Sequence, residues 1–480
     1  MTSEYGKLNI PEQLVAETQR ERLERLYFGI RARKDPVSWR TLNVDARTLA
    51  GTPHPEFGIP QSNSFERAGR LVSFLTEGTY LEPLKPEILS SMGYGEFLPS
   101  QESENRPLAA LLLNGRHLPE PLLWSLADHL SSQGKEVAVV NPVGHYNDAQ
   151  TRIVAPPLLT REVKKLIIVA STQEMYGGNL DVLAQVINTL VNPHFSAKIS
   201  EVEIVIPMFG GSRGHRLGQS STVGYEVLEP EFNAQLLATS TRKVLKQLEV
   251  ECNGCVPTVR FVTVDIHSRD LPAGTFQEEG FEFLSANPAP EFAEETYQAL
   301  EKRDLLSLPL NVIAGDEGAR ERTENFAVSL LTNQRNRLGR VSVIYMKKHR
   351  KEAGVVGGVD FLAASEFVKT GNLIQAIPMV IPNLLYPSRT KCVLVMSDDI
   401  FDTGSTNEAD FAILGQVFPN ARLKISTATH PVLSKGFGAM GRVNADLFLF
   451  GNSLTPEGLD EHPKVQIVDL APSIVREIYR

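Results

Sequence analysis

A cluster of carboxylates and hydroxyls between residues 391 and 406 holds the side chains of this chain best suited to chemistry. The sequence there is KCVLVMSDDIFDTGST, in which an apolar run ends at Asp398 and Asp399 and Asp402 opens a small polar turn. The glycine of that turn lets the backbone approach a ligand closely, and its threonines and serine add hydroxyl donors. Such a segment is suited to bind a sugar phosphate or a metal ion.

The elements around this segment must be a strand and a helix. The run Cys392–Met396 has the composition of a central parallel strand that is covered on both faces. Ligands of open α/β sheets bind beyond the carboxyl ends of the strands, where the acids stand. A helix that begins near Ser405 would direct free backbone N–H groups and its dipole at a phosphate. An ordinary turn with solvated acids is the alternative, and three carboxylates beside a Thr-Gly-Ser-Thr turn argue against it.

Strand-like apolar runs alternate with helical segments from about residue 107 to residue 480. The runs are Leu108–Leu113, Glu136–Val140, Lys165–Ala170, Val202–Ile206, Val259–Val264, Leu308–Ala314, Arg340–Tyr345, Cys392–Met396, Leu423–Thr427 and Leu447–Phe450. This alternation predicts an α/β fold with parallel sheets built from right-handed crossovers. Two runs that end in acids, VRFVTVDIH and KCVLVMSDDI, weakly indicate two related halves.

Length and composition indicate a globular enzyme of two or three domains. The chain has 480 residues, 42% of them hydrophobic and 22% charged. A net charge of −9 argues against a general nucleic-acid binder. No apolar run approaches the roughly 20 residues of a membrane span, and the first residues lack the apolar region of a signal peptide. With only three cysteines, the chain is expected in a reducing, cytoplasmic location. The charge and the lack of a long apolar run predict neither a nucleic-acid nor a membrane partner.

The acidic segment resembles the phosphoribosyl pyrophosphate (PRPP) binding motif of type I phosphoribosyltransferases and PRPP synthetases. That motif is an apolar strand, Asp-Asp, two apolar residues, Asp-Thr and small residues ending in Thr, and every part is present here. The resemblance implies that Asp398 and Asp399 contact the ribose hydroxyls. It assigns the 5′-phosphate to the loop of Asp402, Thr403, Gly404, Ser405 and Thr406.

From about Leu111 to Arg480 the order of further segments resembles the ribose-phosphate pyrophosphokinase (PRPP synthetase) family. VEIVIPMFGGSRGHR is similar to its strand and arginine loop at ATP, and Asp265-Ile266-His267 to its Asp-Leu-His, which contacts Mg–ATP. GDEGARER resembles the loop that receives pyrophosphate, and YMKKHRKEAG resembles the Lys-x-Arg flexible loop. The segment Thr429-His430-Pro431 through Ser434 resembles the Thr-His-Gly segment. Without the family, the basic run would be an ordinary solvated loop or a mobile cationic flap over phosphates.

The resemblance implies a role for each of these residues. Catalysis falls to Lys348 and Arg350, pyrophosphate binding to Asp316, Gly318 and Arg322, ATP binding to Arg213, Tyr146, Asp148, Gln150 and His267, and metal binding to His267, Asp265 and Asp316. The implied reaction transfers the pyrophosphoryl group of Mg–ATP to the C1 hydroxyl of ribose 5-phosphate, which gives PRPP and AMP. Mg²⁺ is the expected cofactor, and a homo-oligomer based on dimers, commonly a hexamer, is the expected assembly.

The resemblance also predicts the domain organisation. Two tandem phosphoribosyltransferase-like (type I) domains with parallel sheets are expected, residues 107–285 on the ATP side and residues 286–480 on the ribose 5-phosphate side. A tail helix closes the second domain. Residues 1–106 form an N-terminal extension with no recognisable chemistry, for which a packing or oligomerisation role is favoured over a regulatory one.

Departures from the family pattern lie on the nucleotide side and leave alternatives open. The ATP loop reads Arg213-Gly214-His215 where the family commonly has Arg-Gln-Asp, and Gln150 replaces a glutamate of the adenine-contacting segment. One alternative is a divergent diphosphokinase that acts on an extended ribosyl phosphate such as ADP-ribose. Another is a catalytically silent paralogue that serves as a regulatory subunit.

Overall fold

The computed structural model describes residues 108–115, 121–140, 143–145, 151–153, 163–172, 180–191, 199–210, 229–251, 256–267, 270–333, 338–352, 355–379, 391–454 and 456–480. The helices there are α1 (Pro121–Ser132), α2 (Leu180–Asn188), α3 (Glu229–Glu251), α4 (Asp270–Glu278), α5 (Ala289–Glu301), α6 (Arg320–Thr332), α7 (Ser405–Val417), α8 (Gly438–Arg442) and α9 (Ala471–Ile478). The strands are β1 (Leu108–Asn114), β2 (Val137–Val140), β3 (Val143–His145), β4 (Thr151–Ile153), β5 (Val163–Val169), β6 (Ile199–Ile206), β7 (Thr258–Val264), β8 (Glu282–Ala286), β9 (Leu310–Ala314), β10 (Arg340–Glu352), β11 (Val355–Thr370), β12 (Leu373–Met379), β13 (Cys392–Phe401), β14 (Ala421–Pro431), β15 (Leu447–Gly451) and β16 (Val465–Val468). The predicted N-terminal extension lies outside these residues.

The first sheet is parallel throughout and has the strand order β2-β1-β5-β6-β7-β8. Its central strands are runs of buried apolar residues, as expected for a sheet with both faces covered. Strands β3 and β4 form a separate antiparallel pair. Because the strands of the sheet are parallel, the ends of β7 and β8 open at the same edge, which is where ligands bind in folds of this class.

The second sheet has the order β12-β11-β10-β9-β13-β14-β15-β16. In the part β10-β9-β13-β14-β15-β16, every strand is parallel to its neighbours. Strand β11 is antiparallel to both of its neighbours, β10 and β12. The predicted α/β class is confirmed, and the second sheet proves to be mixed rather than purely parallel. Strand β10 continues to Glu352, seven residues beyond the predicted end at Tyr345. Pairing with β11 extends it, and the basic residues of this stretch carry no apolar signal for a strand.

A continuous apolar core joins the two sheets. It includes Leu112 and Val262 of the first sheet, Val395 of the second and Ile474 of α9. Helix α9 follows the last strand of the second sheet yet packs on the first, where the Arg260 Nη2 donates to its Ile478 carbonyl at 3.0 Å. This shared packing fixes the carboxyl ends of the two sets of strands relative to each other.

Candidate active site

An acid from the first sheet lies among side chains of the second. Asp265 follows β7 directly and has a φ of 43°, a left-handed conformation that is uncommon outside glycine. Its carboxylate accepts from the Arg322 Nε, which is 2.8 Å from each oxygen, and from the Thr429 Oγ1 at 2.6 Å. Arg322 belongs to α6 and Thr429 to β14. The end of β7 is therefore inserted into the site of the second sheet.

Arg322 and His267 both contact Asp399, the second acid of the Asp-Asp pair. The Asp399 side chain is only 5% exposed, and its Oδ2 lies 2.6 Å from the His267 Nδ1 and 3.6 Å from the Arg322 Nη2. Burial alone would raise the pKa of Asp399, but the Arg322 guanidinium and the His267 imidazole hold it well below its usual range. Burial would likewise lower the pKa of Arg322, yet Asp265 and Asp399 raise it above its usual value. Arg322 is the shared counter-ion of the buried Asp399 and the partly buried Asp265.

The depressed pKa of Asp399 predicts a pH-dependent contribution to stability. Since the folded-state pKa lies below the unfolded one, the stabilisation is complete above the unfolded pKa and is lost as the pH falls toward the folded one. The difference in unfolding free energy between the wild type and Asp399→Asn should be constant near neutral pH and shrink by about 1.4 kcal/mol per pH unit below about pH 4. Urea unfolding at a series of pH values measures this difference in unfolding free energy. A difference that stays constant down to pH ~3 would contradict an ionised Asp399 beside Arg322.

The predicted phosphate loop links β13 to α7 and is held by residues that follow β14. Asp402 Oδ1 accepts from the Ser434 backbone N–H at 3.0 Å and from the Ser434 hydroxyl. Arg442 Nη2 donates to the Thr403 carbonyl at 2.7 Å. Gly404 has a φ of 73°, and a Cβ there would come within 3.0 Å of the Ala439 carbonyl oxygen. These contacts hold the loop in its shape, with the first N–H groups of α7 at its end.

Substitution of Gly404 by alanine should disrupt this shape. The left-handed φ and the close Ala439 carbonyl predict a loss of about 1–3 kcal/mol in unfolding free energy and weaker binding of a sugar phosphate. Gly415→Ala is the matched control, because that residue lies inside α7 and a Cβ there meets nothing within 4 Å. Calorimetric binding of ribose 5-phosphate and urea unfolding of both variants test this. Equal effects of the two substitutions would contradict it.

The comparisons with known proteins identify a fold and no family. No protein-family model matches the sequence, and no curated protein matches it at a significant level. A crystal structure of phosphoribosylpyrophosphate synthetase from Mycobacterium smegmatis matches with a TM-score of 0.52 and 16% identity over 77% of this chain and 98% of that chain. The chain shares the fold of that synthetase. At this identity the similarity establishes the fold alone.

A second solved structure is much less similar. It is an ABC transporter solute-binding protein from Burkholderia graminis C4D1M in complex with D-arabinose, at 12% identity, a TM-score of 0.24 and coverage of 78% of this chain and 89% of that chain. This likeness supports no argument.

In the described part of the chain, no helix has both the length and the apolar character required to cross a membrane.

The predicted pyrophosphate loop of this synthetase-like fold lies beside the Asp-Asp pair. Strand β9 pairs with β13, with Ala314 opposite Ser397, so Asp316 leaves the sheet next to Asp398 and Asp399. The Asp316 Oδ1 accepts from the Ala319 N–H at 3.1 Å and caps the 3₁₀ turn that precedes α6. A pocket at this edge is lined by groups of both sheets, among them Asp265, Arg322, Asp398, Thr427 and Thr429.

The predicted metal residues do not form a ready-made cluster. Among the described residues, no three His, Cys, Asp or Glu side chains are grouped so as to hold a metal ion. Mg²⁺ is commonly held by one or two carboxylates together with substrate phosphates and water, so a complete protein cluster is not required. The carboxylates of Asp265 and Asp316 are the hard oxygen donors that Mg²⁺ requires, but Asp265 would have to exchange contacts with Arg322 and Thr429 for the ion. The His267 imidazole suits softer metals.

The predicted catalytic residues lie on a hairpin that extends beyond the second sheet. Strand β10 pairs with β9 only from Ser342 to Tyr345, whereas Lys348 and Arg350 pair only with β11, opposite Val359 and Val356. The two residues therefore belong to a two-stranded ribbon. Four predicted ATP-binding residues, Arg213, Tyr146, Asp148 and Gln150, lie outside the described residues and stay predictions.

The sequence did not predict the contacts of three groups that support this site. Thr429 could have been found, because it stands at the carboxyl end of β14, the strand next to β13. Ser434 and Arg442 had no such signal, since they follow β14 and reach the phosphate loop only through the folding of residues 432–442. Thr429 and Ser434 lie in the segment that resembles the Thr-His-Gly segment, which was given no contact, whereas Arg442 carries no motif.

Proposed function

We propose that the chain is a ribose-phosphate diphosphokinase, which transfers the pyrophosphoryl group of Mg–ATP to the C1 hydroxyl of ribose 5-phosphate. The observation that carries the proposal is the insertion of Asp265 and His267 from the first sheet into the Asp398–Asp399 site of the second. A phosphoribosyltransferase would need only one such sheet, whereas a diphosphokinase brings a nucleotide side and a sugar side together. The fold shared with a PRPP synthetase supports this choice.

The sugar side consists of the phosphate loop and the Asp-Asp pair. The loop from Asp402 to Thr406 offers backbone N–H groups and hydroxyls to the 5′-phosphate, next to the start of α7. Asp398 and Asp399 accept from the ribose hydroxyls. With the phosphate and the hydroxyls both held, the C1 hydroxyl is directed toward the pyrophosphate loop at the neighbouring strand end.

The nucleotide side supplies the donor and the charge stabilisation. The C1 oxygen forms a bond to the β-phosphorus and releases its hydroxyl proton to water, while the bond from that phosphorus to the α–β bridging oxygen breaks, so that AMP leaves with this oxygen. Asp265 and Asp316 would hold Mg²⁺, whose charge would offset that of the triphosphate. Lys348 and Arg350 stabilise the charge that develops on the transferred group. We also propose that Arg213 and Tyr146 contact ATP and that the enzyme is homo-oligomeric and cytoplasmic.

Product analysis tests the function. The full chain is incubated with Mg²⁺, ATP and ribose 5-phosphate, and AMP and PRPP are quantified; a parallel reaction contains ADP-ribose instead. Equal amounts of AMP and PRPP in the first reaction are expected. AMP with ADP-ribose alone would assign the enzyme to an extended ribosyl phosphate. No AMP from either acceptor would overturn the proposal and favour a silent paralogue.

A further inference from the structure

His430 is a buried histidine that joins the ends of two strands from different sheets. It lies near the end of β14 and is 3% exposed. Its Nε2 is 3.1 Å from the carbonyl oxygen of Val264, the last residue of β7. Since a carbonyl can only accept, the Nε2 carries a proton and donates it across the boundary between the sheets.

The other side of the His430 ring is fixed as well. Its Nδ1 lies 2.8 Å from the Ser453 hydroxyl, which is also 2.7 Å from the Thr429 carbonyl oxygen. Burial lowers the pKa of His430, so the ring is neutral, donates at Nε2 and can accept at Nδ1. The single Ser453 hydroxyl proton is then directed to either the Nδ1 or the Thr429 carbonyl oxygen. Gly451 makes this packing possible, because a Cβ there would come within 2.6 Å of the Thr429 carbonyl oxygen.

The contacts of His430 and its neighbour act on consecutive residues of the first sheet. His430 holds the Val264 carbonyl, and Thr429 donates to the Asp265 carboxylate at 2.6 Å. Asp265 has a left-handed φ of 43°, a conformation that surrounding contacts must maintain. Two residues beyond it, His267 contacts Asp399. The direction in which the chain leaves β7 therefore decides whether Asp265 and His267 enter the site.

We propose that His430 is a positioning residue for the proposed diphosphokinase reaction. Acting through Val264, it holds the end of β7 so that Asp265 faces Arg322 and His267 faces Asp399. The phosphate loop does not depend on this contact, because it belongs to the second sheet and is held by Ser434 and Arg442. The catalytic consequence rests on the proposed function, whereas the geometric one does not.

Two amide substitutions distinguish the hydrogen bond of the His430 Nε2 from that of the Nδ1. In His430→Gln the amide nitrogen can take the place of Nε2 and still donate to the Val264 carbonyl, whereas in His430→Asn it replaces Nδ1 and leaves that carbonyl without its donor. Ser453→Ala is the control, because it removes the Nδ1 partner and keeps the Nε2 contact. All three substitutions are at buried positions. Only the Asn variant removes the donor to the Val264 carbonyl, so only this variant should lose the link between the sheets.

Hydrogen exchange and kinetics on the full chain measure the effect. The Asp265 amide donates to the Ala286 carbonyl at 3.1 Å and should be protected in the wild type. In His430→Asn its exchange should become about tenfold faster and kcat should fall at least about tenfold, while the KM for ribose 5-phosphate stays within about twofold. His430→Gln and Ser453→Ala should retain most of the protection and most of kcat.

The outcomes discriminate between the positioning role and the reaction. Equal loss in the Asn and Gln variants, or wild-type exchange in His430→Asn, would overturn the positioning role. If the wild type forms no AMP, the proposed function fails, and the exchange of Asp265 in the variants still decides the role of His430. If His430→Asn does not fold, wild-type exchange in His430→Gln supports the proposal and lost protection overturns it.

Discussion

Replacing Arg322 by methionine should lower the free energy of unfolding by about 3–5 kcal/mol, because it leaves the buried Asp399 and the partly buried Asp265 without their counter-ion. The Asp265 and Asp399 side chains are only 12% and 5% exposed, and Arg322 is placed between them. Methionine keeps an unbranched apolar chain but removes all five N–H donors. Turnover should be lost as well, since both acids would shift away from each other or take up protons. Urea unfolding at pH 7 and AMP formation measure the two effects.

A second substitution can distinguish this charge effect from lost packing. Adding Asp265→Asn to Arg322→Met removes one of the two unpaired charges, so part of the lost stability should return while turnover stays absent. Arg320→Met is the matched control in the same helix, where Arg320 pairs with Glu324 on the surface and should contribute little. A loss of stability from Arg320→Met as large as that from Arg322→Met would contradict the counter-ion role.

The role of Arg322 shows where prediction from sequence reaches its limit. The resemblance predicts that Gly315–Arg322 is a pyrophosphate loop, and the structure places this segment after β9, the strand next to β13. The sequence gives no indication that the Arg322 guanidinium pairs with Asp265, which is 57 residues away along the chain. A contact of this kind depends on how two sheets pack, and no local spacing of residues records it. A role for Arg322 toward pyrophosphate stays a prediction.

The parts that were predictable are those that a short segment specifies by itself. The strand β13, the acids at its end and the glycine turn before α7 occupy consecutive residues, so composition and spacing were sufficient. The alternation of strands and helices likewise determined the α/β class. The hairpin of β10 and β11 was missed, because each strand gains its regularity from the other rather than from an apolar pattern. Its basic residues favoured a loop, whereas cross-strand hydrogen bonds extend them as a strand.

Alanine substitution of Lys348 or Arg350 should lower kcat by on the order of 10³-fold while ribose 5-phosphate still binds. The proposal places both residues over the transferred pyrophosphoryl group, where charge accumulates in the transition state. The 5′-phosphate, in contrast, is assigned to the loop before α7, on the opposite side of β9 from the hairpin in the order of the second sheet. Steady-state AMP formation gives kcat, and calorimetry with ribose 5-phosphate gives the binding constant.

The hairpin offers its own control in Lys347. This residue is exposed and precedes Lys348 in the same strand, so it offers the same charge at the adjacent position. Lys347→Ala should leave kcat within about twofold of the wild type if position rather than net charge matters. Weaker sugar-phosphate binding with normal turnover in Lys348→Ala and Arg350→Ala would reject the assignment of these two residues to catalysis. Equal losses in all three variants would instead indicate a general electrostatic attraction of the nucleotide, which added salt should suppress.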